Sequence, residues 1–463
     1  MKCLPTLLIA FSLVLSAAAP AAAQDLLRKA PPQDRPILIT GADVHPVSGP
    51  VIESGAVYFD RGVIRAVMTA DEADRWRRSS DRPVNLRVID ASGKRVYPGL
   101  IGANTVTGLM EIGAVGVTVD VNEQGSITPE ARAISSVNPD STLIPVTRLA
   151  GVLTTGVMPS GGVVPGRAAV IRMDGWTWED MAVKADAGLI VAWPNLRPIS
   201  AWWMTKSPEE QRREALESRQ SVIDLLDAAE AYLAAREADP DGVPLDMRFE
   251  AMRPSMNAET PVFVRAQELE QIQDAVSVLA ERGFDVVVVG GRDAPLCADL
   301  LKAHDVAVMI TGTHNLPDRR DAVYDDPFTL PNRLEQAGLR WCLATSGGTF
   351  QTPHERNLPH HAATAVAYGL PHDAALRSIT LSAAELLGVE DKLGSIEPGK
   401  LATIIITDGD PLEITTRVTQ AFIDGREIDL RSKQTELYEK YREKYRQLES
   451  INDKNAPPGS SRP

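Results

Sequence analysis

The stretch Leu393–Ala402, with the sequence LGSIEPGKLA, lies where the chain changes from one folding pattern to another. Its glycines and its proline break the chain into turns, and a short β run, Ala402–Ile406, follows directly. After the turn Asp408-Gly409-Asp410-Pro411 come two further short β runs, Val418–Ile423 and Glu427–Leu430. The stretch therefore predicts that a small antiparallel β module forms near the end of the chain.

Similar short β runs lie near the beginning of the chain, separated by Gly, Asp and Pro: Ile37–Ile39, Ala56–Phe59, Val63–Val67 and Val84–Ile89. The turn Asp60-Arg61-Gly62 is typical of a hairpin, and the region ends at Tyr97-Pro98-Gly99. We predict a single β module that both chain ends build, from residues 37–97 and 395–430.

Between these two parts, over residues 98–394, apolar runs alternate with helical stretches. The predicted strands are Gly151–Val157, Ala169–Arg172, Val262–Arg265, Val286–Val289, Val306–Ile310 and Trp341–Ala344. Three predicted helices connect the last four of these strands: Glu268–Arg282, Ala294–Ala303 and Pro331–Gly338. Buried strands that alternate with helices are typical of a parallel α/β sheet or barrel.

Two further helices are predicted. A capping box with a first-turn proline, Ser207-Pro208-Glu209-Glu210, begins an amphipathic helix that ends near Asp239. We interpret this helix as a structural cover over the body. Residues 431–463 form a charged helix, Ser432–Ser450, and a disordered tail; we expect one helix face to pack on the body or on a partner. That face carries Leu437, Tyr441, Tyr445 and Leu448.

The N-terminus has the pattern of an export signal. Lys2 precedes the apolar run Leu4–Ala18, and Ala21-Ala22-Ala23 gives a small-residue cleavage site. We predict a signal peptide, residues 1–23, cleaved after Ala23, then a polar linker, residues 24–36, and a periplasmic or secreted protein. No later run predicts a membrane span. In the mature chain Cys297 and Cys342 are either two free thiols or one disulfide.

Composition excludes several classes of protein. The chain has 62 acidic and 48 basic residues in 463, and its formal charge is -14, which argues against a nucleic-acid partner. With 44% hydrophobic and 24% charged residues it is an ordinary globular chain. Only seven histidines and three cysteines are present, so a disulfide scaffold and a Cys-rich zinc module are also excluded.

Three stretches resemble the amidohydrolase superfamily, near its imidazolonepropionase-like and exported branches. They are the β runs around Gly41-Ala42-Asp43 and Asp60–Ile64, the entry Val96–Ile101, and Leu393–Ala402. The resemblance covers residues 37–430. It implies a (β/α)8 TIM-like barrel, residues 98–394, with a small β-sandwich from both chain ends and an active site at the C-terminal strand ends. By family, the activity would be hydrolysis of carbon–nitrogen bonds other than linear peptide bonds.

Family chemistry depends on a divalent metal such as zinc, which activates a water molecule. The resemblance implies ligands from a His-x-His pair on the first strand, from His residues ending strands five and six, and from an Asp ending strand eight. At these pocket positions the sequence has, in order, Asn104, Val106, Arg265, Gly290 and Ser346. We therefore expect no metal cofactor, and the catalytic residues stay unassigned.

Two functions remain open at this point. The protein is either a hydrolase, as its family implies, or a non-catalytic protein of the same fold. In the second case it would bind a small organic ligand, or it would pair with a catalytic paralogue or a second copy of itself. Activity on cyclic amides and dipeptides, measured with and without zinc, separates the two functions.

Arg265 has two interpretations. It replaces the metal as the positive centre and binds a carboxylate or a phosphate, or it forms an ion pair with a local acid. The local acids considered for this pair are Glu111, Asp120 and Asp174.

Near the same strand ends we predict that His314, His354 and Glu355 lie at the pocket rim. Together with His360 they are candidates for a different metal site, although their spacing matches no strong ligand motif. The competing interpretation is that these histidines are solvated or cap helices.

Overall fold

The structure is a computed structural model that describes residues 28–200 and 202–455. The predicted signal peptide and most of the predicted disordered tail lie outside the described residues. The strands are β1 Ile37–Val44, β2 Ile52–Asp60, β3 Val63–Met68, β4 Arg87–Asp90, β5 Arg95–Pro98, β6 Leu100–Thr105, β7 Val152–Val157, β8 Gly166–Arg172, β9 Ala182–Ala192, β10 Val262–Ala266, β11 Val286–Gly290, β12 Ala307–Thr311, β13 Trp341–Ala344, β14 Ile404–Thr407, β15 Val418–Ile423 and β16 Arg426–Glu427.

The helices follow the strands in an alternating order over much of the chain. They are α1 Ala70–Arg78, α2 Leu143–Arg148, α3 Trp178–Met181, α4 Pro208–Ala238, α5 Met247–Met256, α6 Leu269–Ala280, α7 Ala298–Ala303, α8 Asp326–Gln336, α9 Leu358–Ala367, α10 His372–Ser378, α11 Leu381–Leu387 and α12 Lys433–Asn455.

Both chain ends contribute to one sheet. Its strand order is β16-β15-β14-β5-β1-β2-β3, and β4 pairs with β1 outside this path. The late strand β14 pairs antiparallel with the early strand β5, with Ile405 opposite Tyr97. Phe59 and Phe422, from the two ends of the chain, meet edge to face with ring centroids 5.3 Å apart. Their contact places an aromatic pair in the core that the two chain ends share.

Three details of this region differ from the sequence prediction. Helix α1 was not predicted; Thr69 and Glu72 form a capping box at its start. The predicted run Val84–Ile89 is ordered as a strand only from Arg87, because Val84 is fully exposed and has no apolar face to pack against. The predicted run Glu427–Leu430 is likewise shorter in the structure, where β16 is Arg426–Glu427.

The second sheet has eight strands in the order β13-β12-β11-β10-β9-β8-β7-β6 and curves into a nearly closed barrel surrounded by helices. The barrel prediction is confirmed, with one correction. Strand β8 runs antiparallel to both β7 and β9, so the sheet is not wholly parallel. The connection between β7 and β8, residues 158–165, is too short for a crossover helix, and a short connection returns the chain in the opposite direction.

Alternation along the strands separates the barrel interior from its helical shell. On β10, Val262 and Val264 belong to the outer core beneath the helices, whereas Phe263 belongs to the interior cluster. Ile101, Met309 and similar side chains from the other strands fill this interior. Because side chains alternate along a strand, Arg265 lies on the same interior face as Phe263. It therefore faces the interior at the C-terminal end of β10.

A buried charge cluster joins the two sheets. Asp174, which follows β8, accepts a hydrogen bond from Arg148 at 3.2 Å and another from Arg426 at 2.7 Å. Its carboxylate also accepts from the backbone N–H of Ala30 at 3.3 Å. Arg148 ends α2 beside the barrel, and Arg426 begins β16 of the β module. One carboxylate thus connects three distant parts of the chain.

The helix predictions have different outcomes. The capping box of α4 is confirmed, with Glu210 N–H bonded to the Ser207 hydroxyl at 3.2 Å and Ser207 N–H to the Glu210 carboxylate at 2.8 Å. Helix α12 is present, but Leu437, Tyr441 and Leu448 are all exposed, so its apolar face does not pack on the described body.

Cys297 and Cys342 are two buried free thiols. Within residues 28–200 and 202–455, no helix is both long enough and apolar enough to cross a bilayer.

Candidate functional site

The candidate site lies at the C-terminal ends of the barrel strands, where barrel proteins of this kind carry their functional loops. The segment after β6 runs across this face before α2 begins. It is held there by backbone hydrogen bonds, Asp120 N–H to the Leu109 carbonyl at 2.7 Å and Ser160 N–H to the Val121 carbonyl at 2.7 Å. A small cleft beneath it is lined by Asp120, Arg132 and Pro159, among others.

Arg265 is the most unusual group on this face. One of its terminal nitrogens, Nη2, donates to the carbonyl oxygen of Pro159 at 2.8 Å. Burial lowers the pKa of the guanidinium to about 10, and no neighbouring charge contributes to the shift. The group therefore stays positively charged near neutral pH, in a partly dehydrated position. Within the described chain, no carboxylate lies within ion-pair distance of it.

The three acids considered as partners of Arg265 are placed elsewhere. Asp174 is committed to Arg148 and Arg426. Glu111 accepts hydrogen bonds from the backbone and the hydroxyl of Thr142, at 3.0 and 3.2 Å. Asp120 is exposed. The interpretation that one of these acids pairs with Arg265 is therefore wrong.

Asn104 lies at the seam between β6 and β13, which are the two ends of the barrel sheet. Its side-chain Nδ2 donates to the carbonyl oxygen of Thr345 at 3.1 Å, and its Oδ1 is buried without a hydrogen-bond partner. A Cβ on Gly347 would lie 2.5 Å from this amide. Asn104 is therefore packed into the seam, and its assignment to the position of a family metal ligand stays a prediction.

Glu355 is packed into the same seam. Its carboxyl group accepts a hydrogen bond from the hydroxyl of Thr345, and a Cβ on Gly102 would overlap its other oxygen, Oε1. Oε1 has no hydrogen-bond partner. Burial raises the pKa of this carboxyl to about 7, with the Thr345 hydrogen bond acting in the opposite direction. The prediction that Glu355 lies at a pocket rim is wrong, because the side chain is fully buried.

The remaining three predicted positions differ from one another. Val106 is fully buried in the outer hydrophobic core, so it does not line a pocket either. Gly290 has φ +115°, and a Cβ there would lie 2.5 Å from the amide of Gln267. Ser346 is exposed just beyond β13. Of the five positions, Arg265 and Ser346 therefore retain accessible polar groups at the strand ends.

The histidines form a cluster beside β12, and His354 is not part of it. His314 stacks on His361 with ring centroids 4.0 Å apart. Nδ1 of His361 accepts the backbone N–H groups of Thr313 at 3.0 Å and His314 at 3.2 Å. Burial, together with the nearby His314 and His360, lowers the pKa of His361 to about 3. His354 is exposed and bonds to the Phe350 carbonyl at 3.1 Å.

The metal that the family resemblance implies does not suit the side chains at these positions. Divalent zinc takes imidazole, thiolate or carboxylate ligands. The five positions offer an amide, a valine, a guanidinium, a glycine and a hydroxyl. Nor does any group of three His, Cys, Asp or Glu residues with metal-binding geometry occur in the part of the chain that the structure describes.

Sequence reasoning missed Thr345, which joins Asn104 to Glu355 across the seam. Its hydroxyl donates to Glu355, and its carbonyl accepts from Asn104. The available signal was its position, directly after the predicted strand Trp341–Ala344. It also missed that Trp193 and Arg219 both donate to Asp274, at 2.8 and 2.7 Å, beside the end of β9.

Comparisons with known proteins agree with this architecture. The profile described as "Amidohydrolase family" matches residues 288–428. An amidohydrolase, tasK, of Hapsidospora irregularis is 25% identical over 404 residues, which is 80% of this chain and 39% of that protein. An imidazolonepropionase of Sphingopyxis alaskensis is 35% identical over 86 residues, 18% of this chain and 21% of that protein. The chain thus spans well under half the length of either relative.

Solved structures extend the likeness of fold to most of the chain. The crystal structure of an amidohydrolase from Thermotoga maritima covers 85% of this chain and 100% of its own, with a TM-score of 0.73 and 23% identity. A molinate hydrolase structure covers 87% of this chain and 96% of its own, with a TM-score of 0.53 and 18% identity. At these identities the likeness establishes the fold.

Proposed function

This chain belongs to the amidohydrolase superfamily, and on that premise we propose that it is a non-catalytic member that binds a small organic ligand at the strand ends of its barrel. The observation that carries the proposal is the position of Arg265. A permanent cation faces the barrel interior at the end of β10, where the family resemblance implies a metal ligand. A cation there repels a divalent ion instead of coordinating it.

The other positions support the same proposal. Asn104 and Glu355 bridge the two ends of the barrel sheet, so their polar atoms serve the closure of the barrel. Glu355 is fully buried, and it therefore cannot reach a substrate from the seam. A general acid or base must come within hydrogen-bond distance of the group that it protonates or deprotonates.

The family function is the second candidate. The names of the relatives, amidohydrolase and imidazolonepropionase, support hydrolysis of carbon–nitrogen bonds. This candidate requires a metal site built from residues other than those at the five positions, because their side chains do not suit zinc.

Metal analysis and turnover separate the two candidates. The purified protein should contain no zinc, iron or manganese near one equivalent. It should turn over neither cyclic amides nor dipeptides, whether zinc is added or not. Turnover that a chelator abolishes would contradict the non-catalytic proposal. A positive control with a metal-dependent hydrolase in the same assay shows that the substrates and zinc concentrations are adequate.

Export and pairing remain proposals. We propose that cleavage after Ala23 releases the protein into the periplasm or the medium, and intact mass measurement of the exported protein tests this cleavage. We also propose that the protein pairs with a second copy or with a catalytic paralogue. Light scattering of the purified protein, alone and mixed with such a paralogue, measures either association.

A further inference from the structure

Arg265 carries an inference about the class of ligand. Its side chain shares the interior face of the barrel with Phe263, which is fully buried one layer below. Met309 on β12, which the strand registers place level with Arg265 two strands away, also belongs to this interior cluster. Because these apolar side chains fill the interior, a ligand of Arg265 must approach from the strand-end side.

No charge of the protein balances this cation within the described residues. Of the three acids considered as its partners from the sequence, Asp174 pairs with other arginines and Glu111 bonds to Thr142. The third, Asp120, is exposed. Desolvation alone accounts for the lowered pKa of the guanidinium, with no coulombic contribution from any acid or base. Buried arginines are ordinarily paired, because an unpaired buried charge is costly. An anion from solution would supply the pairing that the chain does not.

The hydrogen-bonding capacity of Arg265 suits a carboxylate. The guanidinium has five N–H donors in a planar fork, and one nitrogen, Nη2, is bonded to the Pro159 carbonyl. The remaining donors match the two oxygens of a carboxylate. Thr311 follows Met309 by two residues on β12, so it faces the same side, and its hydroxyl makes no hydrogen bond in the part of the chain that the structure describes.

We propose that Arg265 anchors a binding site for small monocarboxylates at the strand ends of the barrel. This proposal rests on the proposed function, since it names the ligand class of the same face. A monocarboxylate carries one negative charge and matches the single cation. A phosphate monoester carries close to two charges at neutral pH and would leave one of them unbalanced.

The experiment uses two probes that differ mainly in charge. Isothermal titration of the full-length mature protein compares propionate with propionamide, at constant ionic strength. Propionate should bind saturably with one site per chain, and propionamide should bind at least tenfold more weakly. Inorganic phosphate should also bind at least tenfold more weakly than propionate. Equal binding of propionamide would overturn the proposal, and so would equal binding of phosphate.

Variants assign the binding to Arg265. Arg265→Met should weaken propionate binding at least tenfold, and Arg265→Lys, which keeps the charge but loses the fork, should weaken it several-fold. The matched control is Arg320→Met, because Arg320 is an exposed arginine on the loop after β12 at the same end of the barrel. Circular dichroism shows whether each variant is folded. Unchanged propionate affinity in folded Arg265→Met would overturn the proposal.

The result can be separated from that of the proposed function. Chelator-sensitive turnover would contradict the non-catalytic proposal even if propionate bound at Arg265. Conversely, a metal-free, inactive protein that binds propionate and propionamide equally would contradict the carboxylate site alone.

Discussion

Two arginines of this barrel are removed from water, but one has a carboxylate partner and the other does not. Arg148 is 2% exposed and donates to Asp174, which also accepts from Arg426 of the β module. Arg265 lies in a second region, at the C-terminal ends of the barrel strands, where it faces the interior. It donates to the Pro159 carbonyl and has no carboxylate partner in the described chain. Burial acts on both guanidinium groups in the same direction and lowers the pKa of each.

The difference between the two regions separates stability from binding. At the junction of the sheets, Arg148 and Arg426 share the carboxylate of Asp174, so the cluster holds distant segments together. At the strand ends, Arg265 is held by one neutral acceptor and keeps its charge available. Because removing one partner of a buried pair exposes the full desolvation cost of the other, the two regions should respond differently to substitution.

The largest effect should come from Asp174→Asn. This change removes the carboxylate that Arg426 shares with the buried Arg148, so the free energy of unfolding should fall by about 3–5 kcal/mol. Urea denaturation followed by circular dichroism measures the fall. The control is Asp299→Asn, since Asp299 is a fully exposed partner of Lys302, and it should change stability by less than about 0.5 kcal/mol. Equal effects of the two substitutions would show that the cluster is not a structural charge site.

Glu355 adds a third kind of buried ionisable group, one that avoids its charge by staying protonated. Its folded pKa, about 7, is raised above the ordinary value of 4.5. Its stabilising contribution is therefore complete below pH 4.5 and is lost as the pH rises to about 7, by at most about 3 kcal/mol. Glu355→Gln removes this titration while keeping an oxygen for the Thr345 hydroxyl.

The measurement for Glu355 is a difference curve. The unfolding free energy of Glu355→Gln minus that of the unmodified protein should increase between pH 5 and pH 8. The control is Glu439, an exposed residue of α12 that pairs with Arg442. The difference in unfolding free energy for Glu439→Gln should not change over the same pH range. A flat curve for Glu355→Gln would mean that its carboxyl ionises as easily in the folded state as in the unfolded state.

Much of the barrel could be predicted from sequence because its strands are short β-branched runs between turns. The run Val286–Val289 and the run Val262–Arg265 are strands in the structure, and alternation along the second run also places Arg265 on the interior face. The reversal of β8 could not be predicted in this way. Direction depends on the path of the connections, and an apolar run such as Ala169–Arg172 fits either direction.

The partners of the buried charges were beyond prediction for a related reason. Asp174 was one of three acids considered for Arg265, and nothing in its local sequence indicates that Arg148 and Arg426 bind it instead. The pairing with Arg426 joins residues 252 positions apart, so only the closed fold brings them together. Likewise, the sequence places Glu355 after the last barrel strand, but the path of the chain decides that it turns into the seam and not towards solvent.

Replacement of each arginine by methionine tests the comparison directly. Arg148→Met should lower the free energy of unfolding, because Asp174 loses one of its two cations. Arg265→Met should raise it by about 1–3 kcal/mol in carboxylate-free buffer, because a desolvated cation is replaced by an apolar side chain of similar length. Thermal and urea denaturation both measure the sign. If Arg265→Met were as destabilising as Arg148→Met, Arg265 would have a structural role like that of Arg148.

The histidine cluster beside β12 offers the smallest test, and its pH dependence has the opposite direction to that of Glu355. The folded pKa of His361, about 3, lies below its ordinary value of 6.5, because burial and the neighbouring His314 and His360 disfavour the charged ring. Its contribution to the free energy of unfolding is complete above pH 6.5 and is lost as the pH falls, by at most about 1.4 kcal/mol per pH unit.

His361→Asn offers an oxygen to the backbone N–H groups of Thr313 and His314 but does not titrate. The stability of this variant relative to the unmodified protein should therefore increase between pH 7 and pH 5. The exposed His354, changed to Asn, should show no such increase. A parallel response of the two variants would place the origin of acid sensitivity outside the cluster.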